Sequence, residues 1–352
     1  MDFKQLFAYY RTIISERIQE VLSEKQTEFD ERMHSEVDVF ETLRSFSTKG
    51  KLLRGSLFLL SVNSYKKETS KELLNIAASL ELMHSALLIH DDIMDNDTLR
   101  RGEKTVFAKY KDQARNLKIQ NADHFGISMG IVVGDIALFI AEELAAYADQ
   151  KNLQKLLQFY TRELRIVGIG QLLDFQYGAL SKEFDGAEIQ RMYIDKSARY
   201  SFTLPLCLGA IAAEMPDSQI QMMEKLGEKI GLIFQLIDDD IGIFGSESKI
   251  GKPIGSDIRE NKKTFMRSLL IKKASPEERK YLEEIFGNPS LKNQDVLRIR
   301  EMTEELGVRS EIQSLIENLY NESQGIIGQL EISPEYKDVY KTLLDYNTKR
   351  TF

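Results

Sequence analysis

Apolar residues recur through most of this chain at steps of three and four, which is the spacing of one face of an α-helix. In residues 3–24 this stripe runs from Phe3 to Val21. The same period predicts further helices over 72–95, 126–148, 151–178, 187–213 and 218–245. No stretch shows the two-residue alternation of a half-buried strand. The sequence therefore predicts an all-α fold.

Segments rich in turn formers or charge separate the predicted helices, and they are 46–50, 97–123, 179–186, 246–262, 273–277 and 287–294. None of them has the length or composition of a disordered linker, and we find no repeat at solenoid spacing. A chain of 352 residues can bury a large core. We expect one all-helical domain over residues 1–352.

Charge and cysteine content limit the possible partners and compartment. The net charge of −8 provides no basic field for nucleic acid, so any anionic ligand must be held by local Lys and Arg. The single cysteine, Cys207, excludes an internal disulfide framework. We find no export signal, and the most apolar stretch, Gly126 to Tyr147, contains Asp135, Glu142 and Glu143. We therefore expect a cytoplasmic protein in which this stretch is a buried core helix and no segment spans a membrane.

Two acidic clusters follow apolar stretches. The first contains Asp91, Asp92 and Asp95, and the second is Asp238–Asp240. On a helix Asp91 and Asp95 share a face, and carboxylates this close repel one another unless a cation lies between them. Mg²⁺ accepts one or two carboxylates and is often completed by phosphate oxygens. The pattern favours Mg²⁺-mediated capture of a diphosphate, whereas either cluster alone would also suit a solvated helix end.

Basic residues follow or precede both clusters. We expect Lys51 and Arg54 to share a face at a helix start, which is a good position for phosphate. Each basic segment alone is typical of a solvated surface, but their grouping around two acidic clusters indicates an anion site. The segments are Gly50-Lys51-Leu52-Leu53-Arg54, Arg100-Arg101-Gly102, Asp195-Lys196-Ser197, Gly251-Lys252-Pro253 and Asp257–Lys263.

These motifs resemble those of the trans-isoprenyl diphosphate synthases, the polyprenyl synthetase family, and in particular archaeal-type geranylgeranyl diphosphate synthases. The resemblance runs from about Gly50 to Lys263, with the motifs in the family's order. They are Gly50-Lys51-x-x-Arg54, Glu81-Leu82-Met83-His84 before Asp91-Asp92-x-x-Asp95, Arg100-Arg101-Gly102, Gly170-Gln171-Leu172-Leu173-Asp174, and Phe234-Gln235-x-x-Asp238-Asp239. The resemblance implies the all-α isoprenoid synthase fold, with helices surrounding a large central cavity, and a homodimer.

The resemblance also implies the metal ligands. Asp91 and Asp95 would hold two of about three Mg²⁺ ions and Asp238 the third, and all of them would bridge to the allylic diphosphate. Asp92 and Asp239 would be weaker or indirect ligands. Gln171 and Asp174 would support the metal waters and Lys196.

Further residues would bind the two substrates. The allylic diphosphate would be held by Arg100, Lys196, Lys252 and Lys262. Isopentenyl diphosphate would be held by Gly50, Lys51, Arg54, His84 and Arg101. Ser197 and Gln235 would lie along the developing allylic cation, so the residues nearest the chemistry would be Arg100, Lys196, Ser197 and Gln235.

The implied reaction is a head-to-tail condensation of isopentenyl diphosphate with dimethylallyl, geranyl or farnesyl diphosphate. The allylic diphosphate ionises, the double bond of isopentenyl diphosphate attacks the cation, and a proton is lost to the released diphosphate. No Ser-His-Asp constellation is therefore needed, and we expect His90 to have a supporting role.

Some positions depart from the family's pattern. The fifth position of the second cluster, often Asp in the family, is Gly242, so any metal support from that side chain is lost unless Asp240 compensates. The usual Lys-Thr pair is Lys196-Ser197, which keeps the hydroxyl. Residues 109–123 are longer than the matching loop of many members.

Product length in the family depends on the residues beneath the first acidic cluster. The position that often carries a bulky side chain is Ala86, with Leu87 beside it and Met83 one turn further down. Neither Ala86 nor Leu87 is aromatic, so we expect geranylgeranyl diphosphate (C20) or a longer product.

Three alternatives remain at this point, and one of them, a generic helical protein with acidic surfaces, is disfavoured by the basic residues grouped around both clusters. A class I terpene cyclase of the same fold would normally carry a different second metal motif in place of Asp238–Asp240. A non-catalytic partner subunit of a heteromeric synthase would tend to lose the first acidic cluster, which is complete in this chain.

Overall fold

A computed structural model describes residues 2–30, 38–147, 151–245 and 255–350. Contacts divide the chain into two compact units, which we describe separately. The N-terminal unit comprises Asp2–Leu157 and Leu208–Glu214, and the C-terminal unit comprises Gln158–Cys207 and Met215–Phe352. The expectation of one domain over 1–352 stays a prediction.

The N-terminal unit is a set of packed helices with one short hairpin. Its elements are α1 (Phe3–Asp30), α2 (Val39–Ser47), α3 (Leu53–Tyr65), α4 (Lys71–Met94), β1 (Leu99–Arg100), β2 (Glu103–Lys104), α5 (Val106–Asn116) and α6 (Ala122–Ala145). Side chains cap several starts: Asp38 accepts the N–H of Glu41 and Ser70 accepts the N–H of Leu73. Helix α4 packs against α1, α3, α5 and α6.

Small residues on α6 allow its close packing. A Cβ at Gly126 would lie 2.6 Å from the carbonyl oxygen of Phe107 on α5, and one at Gly130 would lie 2.7 Å from Ile93 on α4. These glycines are one turn apart, so they form one smooth stripe. The stripe holds α6 tightly against the helix that carries the first acidic cluster.

The C-terminal unit is also helical, and its elements are α7 (Leu153–Ala179), α8 (Gly186–Tyr193), the π-helix π1 (Ile194–Thr203), α9 (Leu204–Ala212), α10 (Asp217–Phe244), α11 (Ser256–Arg259), α12 (Phe265–Lys273), α13 (Pro276–Ile285), α14 (Asn293–Glu305), α15 (Val308–Gln329) and α16 (Pro334–Lys349). Helix α10 is the centre of this unit and packs against π1, α8, α12, α14, α15 and α16. Parts of α7 and α9 belong to each unit.

The π-helix has a local cause in the sequence. Pro205 lies two residues after its last residue, Thr203. A proline has no N–H, and its ring crowds the carbonyl four residues earlier. The N–H of Leu204 bonds the carbonyl of Arg199, five residues back, which is the wider π pattern. Gly227 of α10 makes room for this segment, because a Cβ there would lie 2.5 Å from Cα of Thr203.

The all-α prediction is confirmed, and the predicted helices agree with the observed ones to within a few residues. Two loop predictions need correction. The segment 97–123 contains the β1–β2 hairpin and the whole of α5, so residues 109–123 are mostly helical. In the predicted loop 246–262, residues 246–254 lie outside the described part and Ser256–Arg259 form a short helix.

Helix α6 is only partly buried, which corrects the expectation of a core helix at Gly126–Tyr147. Both α4 and α6 have the length and hydropathy of a membrane-crossing helix. Of the most apolar 18-residue stretch of each helix, 72% is buried in α4 and 39% in α6. Core helices of soluble proteins also meet these criteria. The side of α6 that faces away from α4 exposes Ile127, Ile131 and Phe139, the last at 65%.

Candidate active site

The first acidic cluster lies at the C-terminal end of α4. Asp92 is buried and accepts a 2.7 Å hydrogen bond from Arg100 Nε, while Arg100 Nη2 lies 3.4 Å from Asp91 Oδ2. Burial raises the pKa of Asp92 to about 6, although Arg100 opposes this shift. Asp95 is exposed at the helix end, and its N–H bonds the carbonyl of Asp91 at 2.8 Å. One arginine therefore serves two carboxylates.

The hairpin explains the Arg-Arg-Gly motif. Its strands pair Arg100 with Glu103, so Arg101 and Gly102 form a two-residue loop, with φ of 55° and 78°. A loop of this kind needs positive φ at both central residues, which favours glycine at the second. The guanidinium of Arg101 lies against Gly50, where a Cβ would be 3.3 Å from Nη1. Gly50 therefore makes room for Arg101.

An excess of positive charge surrounds His84 on α4. Burial lowers the pKa of His84 well below its usual value, and the charges of Arg54, Arg101 and Arg100 lower it further. Burial also lowers the pKa of Arg101, with contributions from Arg100 and Arg54. The carboxylate of this group is the buried Glu81, which accepts the N–H of Gly55 at 2.7 Å. Such a group of guanidiniums favours a bound anion.

The prediction that Lys51 and Arg54 share a helical face is wrong. Helix α3 begins at Leu53, and Leu52 takes the left-handed conformation with φ 47° and ψ 47°. This turn places exposed Lys51 before the helix, whereas Arg54 is buried in its first turn. Position 52 is Leu rather than Ser, Thr, Asp or Asn, so no capping residue in the sequence indicates that the helix begins at Leu53.

In the second cluster Asp239 is buried in a hydrogen-bond network. Its carboxylate accepts from the Tyr193 hydroxyl and, at 3.1 Å, from Gln235 Nε2. The Tyr193 oxygen in turn accepts the N–H of Phe265 at 3.0 Å. Burial raises the pKa of Asp239 well above its usual value, and nearby Asp257 and Asp238 act in the same direction. This network fixes the turn of α10 that carries the cluster.

Asp238, with a side chain 42% exposed, pairs with a cation from the end of the last helix. Arg350 Nη2 lies 2.6 Å from Asp238 Oδ1 and also donates to the carbonyl of Phe234 at 2.6 Å. The guanidinium carbon stacks 3.7 Å from the centre of the Phe234 ring. The C-terminal helix thus supplies a counter-charge to this carboxylate.

Asp240 does not replace the side chain that Gly242 lacks. Its two oxygens accept from Arg309 at 3.0 and 3.1 Å in a bidentate pair, and Arg309 stacks on Phe244 at 3.8 Å. This carboxylate therefore links α10 to α15.

The Lys196-Ser197 pair lies in π1. Lys196 forms an ion pair with Asp174 of α7, and Ser197 is half-buried. Gln171 is also half-buried, one turn before Asp174. Lys262 Nζ lies 3.0 Å from Glu260 and 3.8 Å from Asp257. Lys252 lies outside the described residues.

The residues expected to limit product length lie on α4. Met83 and Ala86 are buried and Leu87 is half-buried. His90 Nε2 lies 3.2 Å from the carbonyl oxygen of Ile131 and 3.5 Å from Asp135, and its supporting role stays a prediction.

The acidic residues fit Mg²⁺ in their chemistry. Among the described residues no three His, Cys, Asp or Glu side chains form a closed metal site, but Mg²⁺ is usually held by one or two carboxylates with water and phosphate oxygens. Within the same described part, Asp92 Oδ2 is buried without a hydrogen-bond partner. Asp91, Asp95 and Asp238 offer the hard oxygen atoms that Mg²⁺ prefers.

Sequence reasoning gave no role to Glu81, Tyr193 or Asp257, and it placed Arg350 only in a basic tail that resembles those closing over the second substrate in some family members. Glu81 was visible as part of a motif, and Asp257 as part of a charged segment. Nothing in the sequence marks Tyr193 as the partner of Asp239 or Arg350 as the partner of Asp238, because these contacts join distant segments.

Known proteins share this architecture. The sequence model of the polyprenyl synthetase family matches residues 39–304. The chain is 31% identical over 273 residues to a short chain isoprenyl diphosphate synthase of Methanocaldococcus jannaschii, covering 76% of this chain and 78% of the relative. It is 31% identical over 262 residues to a geranylgeranyl diphosphate synthase of Saccharolobus solfataricus, covering 73% of each.

A solved structure extends the similarity to nearly the full length. Geranylgeranyl pyrophosphate synthase from Corynebacterium glutamicum, complexed with isoprenyl diphosphate and magnesium, superposes with a TM-score of 0.90 at 27% identity. The match covers 99% of this chain and 100% of that one. The chain therefore belongs to the polyprenyl synthetase family, the prenyl diphosphate synthases.

Proposed function

We propose that this chain condenses isopentenyl diphosphate head-to-tail with an allylic diphosphate to make an all-trans prenyl diphosphate of C20 or longer, using Mg²⁺. The observation that carries the proposal is the group of Arg54, Arg100 and Arg101 around neutral His84, next to the carboxylates that end α4. A diphosphate offers these guanidiniums several charged acceptor oxygens close together, which is the kind of ligand that grouped arginines bind best. The names of the relatives support the same substrate class.

Each half of the reaction has residues suited to it. We assign isopentenyl diphosphate to Gly50, Lys51, Arg54, His84 and Arg101, and the allylic diphosphate to Arg100, Lys196, Lys252 and Lys262. Because burial and the arginines lower the pKa of His84, it contacts the diphosphate as a neutral group. Arginines fit phosphate oxygens through paired N–H donors and hold the substrate in a fixed orientation.

The chemistry needs stabilisation of charge rather than a protein nucleophile. When bound by Asp91, Asp95 and Asp238, with Asp92 as a weaker ligand, Mg²⁺ would stabilise negative charge developing on the leaving diphosphate. Ser197 and Gln235 present polar oxygens to the allylic cation. Gln171, Asp174 and Asp239 hold their neighbours in place, as the Asp174–Lys196 and Asp239–Gln235 contacts illustrate.

The assembly that we propose is a homodimer in the cytoplasm. The exposed apolar side chains of α6 support dimerisation, because large exposed apolar side chains grouped on one helix commonly mark an interface. The single buried thiol, Cys207, suits a reducing compartment.

The test is direct. The purified protein alone is incubated with Mg²⁺, labelled isopentenyl diphosphate and each of dimethylallyl, geranyl and farnesyl diphosphate, and the products are sized. We expect linear prenyl diphosphates of C20 or longer, and none when a chelator removes the metal. Absence of elongation by the protein alone would favour a partner subunit of a heteromeric synthase, and cyclic hydrocarbons would favour a terpene cyclase.

A further inference from the structure

Arg199 of π1 is a buried cation that binds carboxylates of two other helices. Its Nε and Nη2 donate to the two oxygens of Glu163 on α7 at 2.7 and 2.8 Å, which is a bidentate pair. Nη2 also donates to Glu224 on α10 at 2.6 Å, and Nη1 donates to Glu228 of the same helix. One side chain therefore joins π1 to both α7 and α10 through charged hydrogen bonds.

Burial makes the members of this group depend on one another. Glu163 is fully buried, and a buried carboxylate is costly unless cations remain bound to it. Arg162 supports it, with Nε 2.9 Å from Glu163 and Nη2 3.0 Å from Glu224. Burial opposes the charge of Arg199, but the hydrogen bonds from Glu163 and Glu224 outweigh burial and raise the pKa of Arg199 above its usual value.

Each of the three helices joined by Arg199 also carries two residues of the proposed site. The hydrogen bonds of Arg199 therefore bear on how these residues face one another. The pairs are Gln171 and Asp174 on α7, Lys196 and Ser197 on π1, and Gln235 and Asp238 on α10.

One face of α7 sets the register of π1. Glu163, Gly170 and Asp174 share this face, because they are separated by seven and four residues. At one end of the face Glu163 binds Arg199. At the other end Asp174 pairs with Lys196. Between them Gly170 leaves no room for a Cβ, which would collide with the backbone nitrogen of Lys196.

A π-helix is rare and is found mostly as a single turn, so contacts outside its own backbone must stabilise one as long as π1. On α10, Gly231 allows close packing, because a Cβ there would collide with Ala198. The carbonyl of Arg199 accepts the N–H of Leu204, which is a five-residue bond of the π pattern. Arg199 therefore holds π1 with both its backbone and its side chain.

We propose that Arg199 is a positioning residue for the allylic diphosphate. Its bonds to Glu163, Glu224 and Glu228 keep π1 in the register that directs Lys196 to that substrate. Arg199 acts through Lys196 and does not contact the substrate itself. This inference rests on the proposed function, in which Lys196 binds the allylic diphosphate, and adds a residue to it.

Substrate binding without turnover gives the first test. The probe is an unreactive analogue of geranyl diphosphate, with sulfur in place of the oxygen that joins the geranyl group to phosphorus. It is titrated with Mg²⁺ into the full-length protein by isothermal calorimetry. The variant combines Arg199→Gln with Glu163→Gln, so two amides replace the buried ion pair and Glu163 is not left as an unpaired charge. We expect affinity to fall about 10-fold, as when a group that orients a metal ligand is lost.

A matched control removes a buried arginine from another helix. Arg17 of α1 is buried and donates to Asn75 and Glu20, each at 2.8 Å. Helix α1 carries no residue of the proposed site, so Arg17→Gln should leave the affinity for the analogue unchanged. A loss in Arg17→Gln equal to that in the two-amide variant would overturn the proposal, because any destabilisation would then have the same effect.

A double-mutant cycle with Lys196→Gln separates positioning from a general structural role. If Arg199 acts through Lys196, the two-amide change should cost no more than about twofold in affinity once Lys196 is already Gln. The full 10-fold loss in that background would overturn the proposal. Wild-type affinity in the two-amide variant with Lys196 intact would also overturn it.

Arg199→Lys keeps the proposal testable if the two-amide variant does not fold, as judged by circular dichroism. Lysine keeps a charge opposite Glu163 but lacks the planar fork of donors that binds several carboxylates at once. We expect a smaller loss of affinity, about threefold, that again disappears in the Lys196→Gln background. Wild-type affinity in Arg199→Lys and a normal melting temperature would then overturn the proposal.

Kinetics give a second measurement on the same variants. The KM for geranyl diphosphate should rise about 10-fold in the two-amide variant. The KM for isopentenyl diphosphate should stay within about twofold, since its proposed ligands lie on other elements. A fall in kcat with both KM values unchanged would mean that the network only stabilises the fold, and would overturn the proposal.

Lys196→Gln alone distinguishes failure of this inference from failure of the proposed site. Normal binding of the analogue in Lys196→Gln would reject both the assignment of Lys196 and the role of Arg199. Weaker binding in Lys196→Gln together with normal binding in the two-amide variant would reject only the role of Arg199.

Discussion

At the scale of single residues, we expect Arg350 to compete with metal for Asp238. The ion pair at 2.6 Å and the stack on Phe234 hold a cation where the proposed function requires Mg²⁺. Arg350→Gln should therefore raise Mn²⁺ affinity, measured without any diphosphate, by roughly fivefold, corresponding to about 1 kcal/mol for a partly exposed pair. Lys349→Gln is the control, since Lys349 is exposed and pairs with Asp345. Unchanged or weaker binding in Arg350→Gln would contradict the competition.

Ionisation of Asp92 lowers the free energy of unfolding of the metal-free protein by an amount that depends on pH. Its pKa of about 6 in the folded state is higher than the 3.8 of a free carboxyl, so the folded state binds more protons between these values. The contribution of Asp92 to the free energy of unfolding therefore falls as pH rises from about 4 to 6. The loss is at most about 3 kcal/mol, and on the order of 2 kcal/mol after allowance for solvent screening.

The measurement is urea unfolding of wild type and Asp92→Asn at pH 4 and pH 7.5. Asn keeps an acceptor for Arg100 but cannot ionise, so the variant should gain stability relative to wild type as pH rises. Asp338→Asn, at an exposed site, should not show this divergence. If the difference in the free energy of unfolding between Asp92→Asn and wild type were the same at both pH values, the burial of ionised Asp92 would be less costly than its pKa implies.

At the scale of elements, α4 joins the acidic cluster to the predicted floor of the product cavity. Met83 is fully buried two turns before Asp91, on the helix that ends at the proposed metal ligands. Met83→Ala removes that side chain, so chain elongation should stop later and the product distribution should shift beyond the wild-type length. Product sizing by chromatography measures the shift.

Truncation of a buried methionine also costs about 2–5 kcal/mol of stability, so a thermal melt must accompany the product assay. Ile76→Ala is the matched control, since Ile76 is equally buried on α4 but lies farther from Asp91. An unchanged product distribution in folded Met83→Ala would show that the floor is elsewhere.

The helices were predictable from the sequence because their apolar period is strong and tertiary packing agrees with it. The apolar period could not reveal π1, because the wider backbone hydrogen-bond pattern of a π-helix changes the spacing of apolar residues very little. Pro205 alone does not specify a π-helix either. The apolar period also missed α5, where charged residues dilute the apolar stripe of Val106–Asn116. The start of α3 was misplaced because Leu52 carries no capping signal.

The site was predictable where motif residues are neighbours on one element, as with Asp91 and Asp92, or adjacent elements, as with Arg100. It was not predictable where distant segments meet. The pairing of Asp240 with Arg309, and the approach of Asp257 to Gly242, depend on how α10 packs in its unit. A sequence shows that a charge exists but not which partner neutralises it.

At the scale of the whole molecule, the exposed side of α6 predicts self-association. We expect wild type to elute near twice its mass of 40.5 kDa in size-exclusion chromatography with light scattering. Ile127→Glu combined with Phe139→Glu would bury unpaired charges at the interface, costing about 3–5 kcal/mol, and should produce monomers. Leu297→Glu, at a residue 52% exposed on α14, should leave the mass unchanged. A monomeric wild type would refute this prediction.

The π-helix has a consequence for how this protein tolerates change. Its rings close over five residues instead of four, so removing a single residue would let the stretch relax into ordinary α geometry. The flanking turns would keep their phase, but the side chains inside the stretch would turn to new directions. Lys196 would lose Asp174 although every side chain kept its chemistry. The number of residues in the π-helix therefore sets the direction of the Lys196 side chain. We expect the segment to tolerate many substitutions but no deletion.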